Sequence, residues 1–196
     1  MNISIRPATI DDASKIANIF QVSVRSLCTQ EYLPAQIDII ASLFDAQSYR
    51  EAIETEELDI FIAEAEDIVG FISLMPEECR IGDLFIHPDF TRQGIATLLL
   101  DTLEKYAVQK QILRLSVTAS LTARSFYAVR GYQYQRDSFI AQNIPTVEMI
   151  KILTPHGSDS FEFGSYENNR KIEQYKLTNL RDLILFIFRL LFDKPS

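Results

Sequence analysis

The segment GDLFIHPDFTRQGIATLLLDTLEKYA, residues 82–107, runs from an apolar strand through a turn into a helix. The join between turn and helix is where the chain could do chemistry. The first turn of a helix leaves four backbone N–H groups unpaired and carries a partial positive charge. A phosphate or diphosphate can rest on those groups when small side chains leave them accessible. Gly94 and Ala96 supply the small size, Thr91, Gln93, Ile95 and Thr97 complete the loop and first turn, and Arg92 adds a counter-charge. A Gly-x-Ala step is common at helix starts, so its weight comes from the elements around it. The other reactive residue types are sparse. Two histidines, His87 and His156, and two cysteines, Cys28 and Cys79, lie far apart in sequence. They form neither a zinc pattern nor a disulfide framework. His87 is expected to end the strand beside Pro88, and His156 to be solvated.

The elements that must position this loop follow from periodicity. Ile3 to Ala8 alternates as a short strand, and Thr9 with Asp11 and Asp12 signals a helix start. Ala13, Ile16, Ala17, Phe20 and Val24 recur at helical spacing, predicting a helix that ends near Leu27. Pro34 opens a second helix, and a third short one is expected around Ser48 to Glu54. Residues 59–65 and 68–74 read as two apolar strands joined by a tight hairpin at Glu66-Asp67. A strand over 80–86 stops at His87-Pro88, because proline cannot donate to the ladder. The helix from Ile95 is expected to run about three turns. A strand follows over 112–118, with Leu113, Leu115 and Val117 on one face, and then a helix over 121–130 closed by Gly131. Two last strands fall near 132–140 and 146–153.

With 196 residues, 47% hydrophobic and 23% charged, the chain is long enough for one domain with a real core. The net charge is −8. A sequence-independent grip on nucleic acid needs many Lys and Arg to replace counterions, so DNA and RNA are not expected partners. Residues 1–153 carry 13 basic and 21 acidic side chains, whereas 154–196 carry 6 of each. The acidity therefore belongs to the first part, which suits solubility or a cationic small partner. The sequence shows no secretion signal and no run approaching the ~20 apolar residues that span a bilayer. Two reduced thiols in a cytoplasmic protein are the expected state.

In order and spacing these elements resemble the GNAT family of acetyl-CoA-dependent N-acetyltransferases. The stretch Thr91-Arg92-Gln93-Gly94-Ile95-Ala96 is similar to the family's Q/R-x-x-G-x-G/A cofactor motif, with Thr91 in place of the usual Gln or Arg. Downstream, Ala123-Arg124-Ser125-Phe126-Tyr127 followed by Gly131-Tyr132 resembles the family's A-x-x-F-Y-x-x-x-G-F/Y pattern. The resemblance covers about residues 3–153. It implies an α/β fold: a mixed, mostly antiparallel central sheet with helices on both faces. It also implies a strand 4 that splays from strand 5, acetyl-CoA as co-substrate without a metal, and direct transfer to a primary amine of a small molecule or peptide in a ternary complex. Residues 91–97 would hold the diphosphate, and the backbone at Phe85 and Ile86 would pair with the pantetheine arm. Tyr127 matches the family's general acid. Asp83 stands where the family often places a glutamate base, with Glu31, Glu77 and Glu78 as rivals.

Residues 154–196 lie outside the resemblance. Pro155 to Ser160 reads as a linker, and LRDLILFIFRLLF, 180–192, as an apolar C-terminal helix. Thirteen residues at 1.5 Å each cover roughly 20 Å, short of a ~30 Å bilayer core. This helix is expected to dock on its own sheet or to pair with a second copy as a homodimer, in preference to lying on a membrane surface, because only Arg181 and Arg189 lie near the apolar run. Two other readings use the loop at Gly94. One is a non-catalytic acyl-CoA-binding module that assembles a partner through the tail. The other is an unrelated α/β phosphate-binding protein.

Overall fold

The computed structural model of the chain describes residues 2–141 and 143–154. The linker and apolar helix expected beyond them, and the pairing expected of that helix, lie outside the described residues. The described part is a seven-stranded mixed sheet built from β1 (Ser4–Pro7), β2 (Asp59–Glu64), β3 (Ile68–Met75), β4 (Arg80–Ile86), β5 (Arg114–Ser120), β6 (Gln133–Ile140) and β7 (Ile144–Ile152). The spatial order is β1-β2-β3-β4-β5-β7-β6, and every neighbouring pair is antiparallel except β4 with β5. Helices α1 (Ala13–Leu27), α2 (Pro34–Ala41) and α3 (Ala46–Glu54) separate β1 from β2. Helix α4 (Ile95–Gln109) makes the crossover from β4 to β5, and α5 (Arg124–Val129) joins β5 to β6.

Strand β3 is buried from Ile68 to Leu74, as expected of a central strand covered on both faces. Its alternation divides the core. Phe71 lies opposite Phe85 of β4, and this face meets α1 and α3 through Phe20 on Phe85 (5.0 Å between ring centres) and Tyr49 on Phe71 (5.5 Å). Ile72 lies opposite Phe61 of β2, whose ring meets Tyr106 of α4 at 5.0 Å on the other face. Each large apolar side chain buried this way contributes about 1.5–3 kcal/mol. Local signals set the helix starts. Asp12 accepts from the Thr9 N–H at 2.8 Å and is clamped by Arg6, while Asp45 accepts from the Ser48 N–H at 2.8 Å at the head of α3.

Several elements differ from the sequence reading. Helix α4 has 15 residues, roughly four turns rather than three, because Ala107 continues its buried stripe beyond Tyr106. Strand β5 begins at Arg114, and Leu113 is exposed rather than sharing the buried face of Leu115 and Val117. Helix α5 is only six residues, since 121–123 forms a turn before it. The β2–β3 connection is Ala65 to Asp67, and a register shift beside Ala63 and Glu64 absorbs an extra residue. Gly131 takes the left-handed conformation, φ +88°, that closes α5. Among the described residues no helix is long and apolar enough to cross a membrane.

Candidate active site

Pairing between β4 and β5 covers only Arg80–Ser116 and Ile81–Val117. It starts where the Ser116 N–H donates to the Cys79 carbonyl at 3.0 Å. Beyond Ile81, β4 stays on β3 and β5 stays on β7, so a V-shaped gap opens between them. The antiparallel register decides which backbone faces that gap. The His87 N–H donates to the Val69 carbonyl at 2.8 Å, which makes 87–69 a hydrogen-bonded pair and 85–71 the next. The N–H of Phe85 therefore points to β3, while those of Leu84 and Ile86 point into the gap. The Ile86 carbonyl accepts from buried Ser23 Oγ of α1 at 2.8 Å.

The β4 ladder is interrupted where this gap begins. Ile72 opposes Leu84 and Leu74 opposes Ile81, so Ser73 alone faces both Gly82 and Asp83, a β-bulge. Ser73 Oγ accepts the Asp83 N–H at 2.8 Å and donates to Asp83 Oδ2 at 2.9 Å. A Cβ on Gly82 would lie 2.6 Å from that oxygen, so the double contact requires glycine there. The bulge thus fixes both the backbone and the carboxylate of Asp83. Burial raises the Asp83 carboxyl from 3.8 to about 6, against the opposing pull of the Ser73 hydrogen bond. At neutral pH it is ionised yet a far better proton acceptor than an ordinary aspartate.

Tyr127 of α5 is buried, with its ring edge-on to Phe126 and Tyr132 at 5.3 Å each. Burial, and after it the nearby Asp83 charge, push its phenol above the ordinary value, so it stays protonated. Its hydroxyl has no hydrogen-bond partner among the described residues. Asp83 and Tyr127, predicted separately from sequence, therefore share one electrostatic neighbourhood. A third group there was not foreseen. Tyr49 of α3 is 1% exposed, its hydroxyl is unpartnered among the described residues, and burial and then the Asp83 charge raise its phenol too. Ser73 and Gly82 were also missed, although a glycine inside a strand pattern is a bulge signal. No sequence signal distinguishes Tyr49.

At the far end of β4, His87 behaves as a strand-terminating residue. Its Nδ1 accepts from the Asp89 N–H at 3.4 Å and its ring lies against Phe90. The turn then enters the loop with Arg92 at φ +62° and Gly94 at φ +82°. The first backbone bond of α4 runs from the Leu98 N–H to the Gly94 carbonyl at 3.0 Å. Among the described residues, the amides of Arg92, Gln93, Gly94, Ile95, Ala96 and Thr97 have no hydrogen-bond partner. A Cβ placed on Gly94 would meet nothing within 4 Å, so the space beside Gly94 itself is open. Thr91 Oγ1 donates to the Pro88 carbonyl at 3.0 Å and so shapes the turn. The rival carboxylates are engaged elsewhere: Glu31 accepts from Thr122 Oγ1, and Glu78 pairs with Arg80. Among the described residues no group of three or more His, Cys, Asp or Glu could hold a metal ion.

A family model described as an acetyltransferase (GNAT) domain matches residues 28–153. The chain is 34% identical, over 67% of its length and 82% of the other's, to the uncharacterized N-acetyltransferase YafP of Escherichia coli K12. In structure it is similar to a GCN5-related N-acetyltransferase from Rhodopseudomonas palustris, with a TM-score of 0.72, 31% identity, and 78% of this chain and 97% of that one covered. It also shares the fold of the PaiA N-acetyltransferase of Thermoplasma acidophilum, solved in complex with coenzyme A, with a TM-score of 0.67, 21% identity, and coverage of 78% and 99%.

Proposed function

Since the chain belongs to the GNAT acetyltransferase family, we propose that it transfers the acetyl group of acetyl-CoA directly to a primary amine of a small molecule or peptide within a ternary complex. The observation that carries this reading is the run of six unpaired amides from Arg92 to Thr97, open at Gly94, beside a β4 edge that β5 leaves unpaired beyond Ile81. Those amides would bind the diphosphate, with the Arg92 side chain adding charge and Thr91 holding the turn. The Leu84 and Ile86 N–H groups would pair with an extended pantetheine arm, and one of them would polarise the thioester oxygen. Phe85 contributes its side chain to the wall, since its amide is committed to β3.

In the reaction, the amine nitrogen forms a bond to the thioester carbonyl carbon and the carbon–sulfur bond breaks. Asp83 takes the proton released from the nitrogen, and Tyr127 donates its phenolic proton to the departing sulfur. The products are the amide and free CoA thiol. Asp83 then loses its proton to solvent and Tyr127 regains one, which restores both groups. The test is thiol release from acetyl-CoA with spermidine, 2-phenylethylamine, lysine and an alanyl peptide as acceptors, with products identified by mass. Direct transfer predicts intersecting initial-velocity lines. Parallel lines, or acetyl-CoA binding without amide formation from any acceptor, would overturn this function.

A further inference from the structure

Helix α5 carries Tyr127 and has only six residues, too few to hold its shape alone. Its N-cap, Ala123, supplies no side-chain hydrogen bond. The turn before it is gripped instead by the connection between α1 and α2, 89 residues earlier in the chain. The buried Tyr32 hydroxyl accepts the Leu121 N–H at 2.9 Å and donates to the Pro145 carbonyl at 2.8 Å. Next to it, Thr122 Oγ1 donates to the Glu31 carboxylate at 2.8 Å. These bonds strap residues 31–32 to the end of β5 and the start of β7, which pair there through Ser120 and Thr146. From the strapped turn the bonds run on to Tyr127. The Ala123 N–H donates to the Ser120 carbonyl at 3.0 Å, and the Tyr127 N–H donates to the Ala123 carbonyl at 3.2 Å. The far end of α5 is tied by the Tyr132 N–H to the Tyr127 carbonyl at 3.0 Å and by the ion pair of Arg130 with Asp101.

With its proton committed to Pro145 and a lone pair to Leu121, the Tyr32 hydroxyl holds backbone rather than exchanging protons. We propose that Tyr32 is a positioning residue for acetyl transfer: by gripping Leu121 and Pro145 it fixes the start of α5 and so aims the Tyr127 hydroxyl at the departing sulfur. This rests on the transfer reading above, in which Tyr127 is the acid. A proton donor works only within hydrogen-bond reach of its target, and a misplacement of about 1 Å can cost ~100-fold in rate. Glu31 and Thr122 tighten the same strap from its exposed side. No bond is made or broken at any of the three.

The test is a double-mutant cycle in the full chain, Tyr32→Phe with Tyr127→Phe, on the panel amine that wild type acetylates fastest. Tyr32→Phe deletes one oxygen atom and keeps the ring. Its kcat should fall roughly 10-fold, within the ~100-fold that the acid itself supplies. In the Tyr127→Phe background the same substitution should lower kcat by less than about 2-fold, since no acid is left to aim. The KM for acetyl-CoA should not change. Tm should fall equally in both backgrounds, because the Leu121 N–H and the Pro145 carbonyl lose their partner in each. Lost stability is thus the same with or without Tyr127, while lost rate is not. Thr122→Val loosens the strap from outside; its kcat should fall about 3-fold, again only while Tyr127 is present. Should Tyr32→Phe fail to fold, the Thr122→Val cycle decides by the same criteria. An unchanged kcat, an equal loss in both backgrounds, or an acetyl-CoA KM that rises in step would overturn the positioning role while leaving the reaction standing. A wild type that binds acetyl-CoA and acetylates no amine would overturn the reaction and this role together.

Discussion

Replacing Asp83 with asparagine should make the protein more stable above pH 7 while making it a poorer enzyme. The side chain is held at about 6 by burial, against 3.8 for an ordinary aspartate. The folded chain therefore holds this proton more tightly than the unfolded chain. Between pH 3.8 and about 6 the folded state binds more protons, so stability falls as the pH rises through that window. Above it the whole cost of the buried charge is present, and below it the cost vanishes because both states are protonated. At about 1.4 kcal/mol for each pKa unit, the cost reaches roughly 3 kcal/mol, an upper limit because Asp83 keeps some accessible surface. Asparagine retains an oxygen for Ser73 Oγ and carries no charge. Urea unfolding at pH 8 should show Asp83→Asn more stable by up to roughly 3 kcal/mol, with the difference gone near pH 4. In parallel, the log of kcat/KM for the amine should bend by one unit of slope near pH 6 in wild type, where Asp83 ionises. In the variant it should run straight to the amine's own pKa. A variant less stable than wild type at pH 8, or one that keeps the bend, would refute the placement of this carboxylate.

Ser73→Ala removes the hydrogen bond that opposes the burial effect, so the same bend should move above pH 6, as read by the rate profile. Tyr127→Phe should lower kcat by about 100-fold, the scale for a lost general acid. Its Tm should be unchanged, because the hydroxyl has no partner among the described residues to lose; saturating-substrate kinetics and calorimetry check both halves. Gly94→Val forces a side chain into a left-handed position, at a cost of about 1–2 kcal/mol in unfolding measurements. Its side chain enters the open space beside Gly94, so the Kd for acetyl-CoA should rise more than about 10-fold, measured by titration calorimetry. Gly82→Ala places a carbon 2.6 Å from Ser73 Oγ and should uncouple the clamp, with kcat falling toward that of Asp83→Asn.

Local chemistry explains which parts of this were legible in the sequence. Strand β4 is bounded as expected because His87-Pro88 ends it, and α1 and α2 because capping and proline signals mark their starts. The loop at Gly94 was readable since glycine, a small residue at Ala96 and a following apolar stripe are all local. Helix α5 is shorter than the pattern predicts because the turn at 121–123 carries no proline or glycine to mark it in the sequence. Strand β5 starts later than the alternation predicts because Leu113 fits the pattern, yet only tertiary packing decides that it stays exposed. The β4 bulge depends on Ser73 of a neighbouring strand, and Tyr49 acquires meaning only when α3 folds onto Phe71. Contacts between elements distant in sequence do not show in composition or periodicity.

The proposed reaction requires the loop amides from Arg92 to Thr97 to receive the diphosphate of acetyl-CoA. Its most direct test is an amide-resolved NMR titration of the 15N-labelled chain with acetyl-CoA. The largest shifts should fall at 92–97, with a second set at Leu84 and Ile86, and the 92–97 set should disappear in Gly94→Val. Saturable binding whose shifts bypass these amides, or no binding at all, would contradict it.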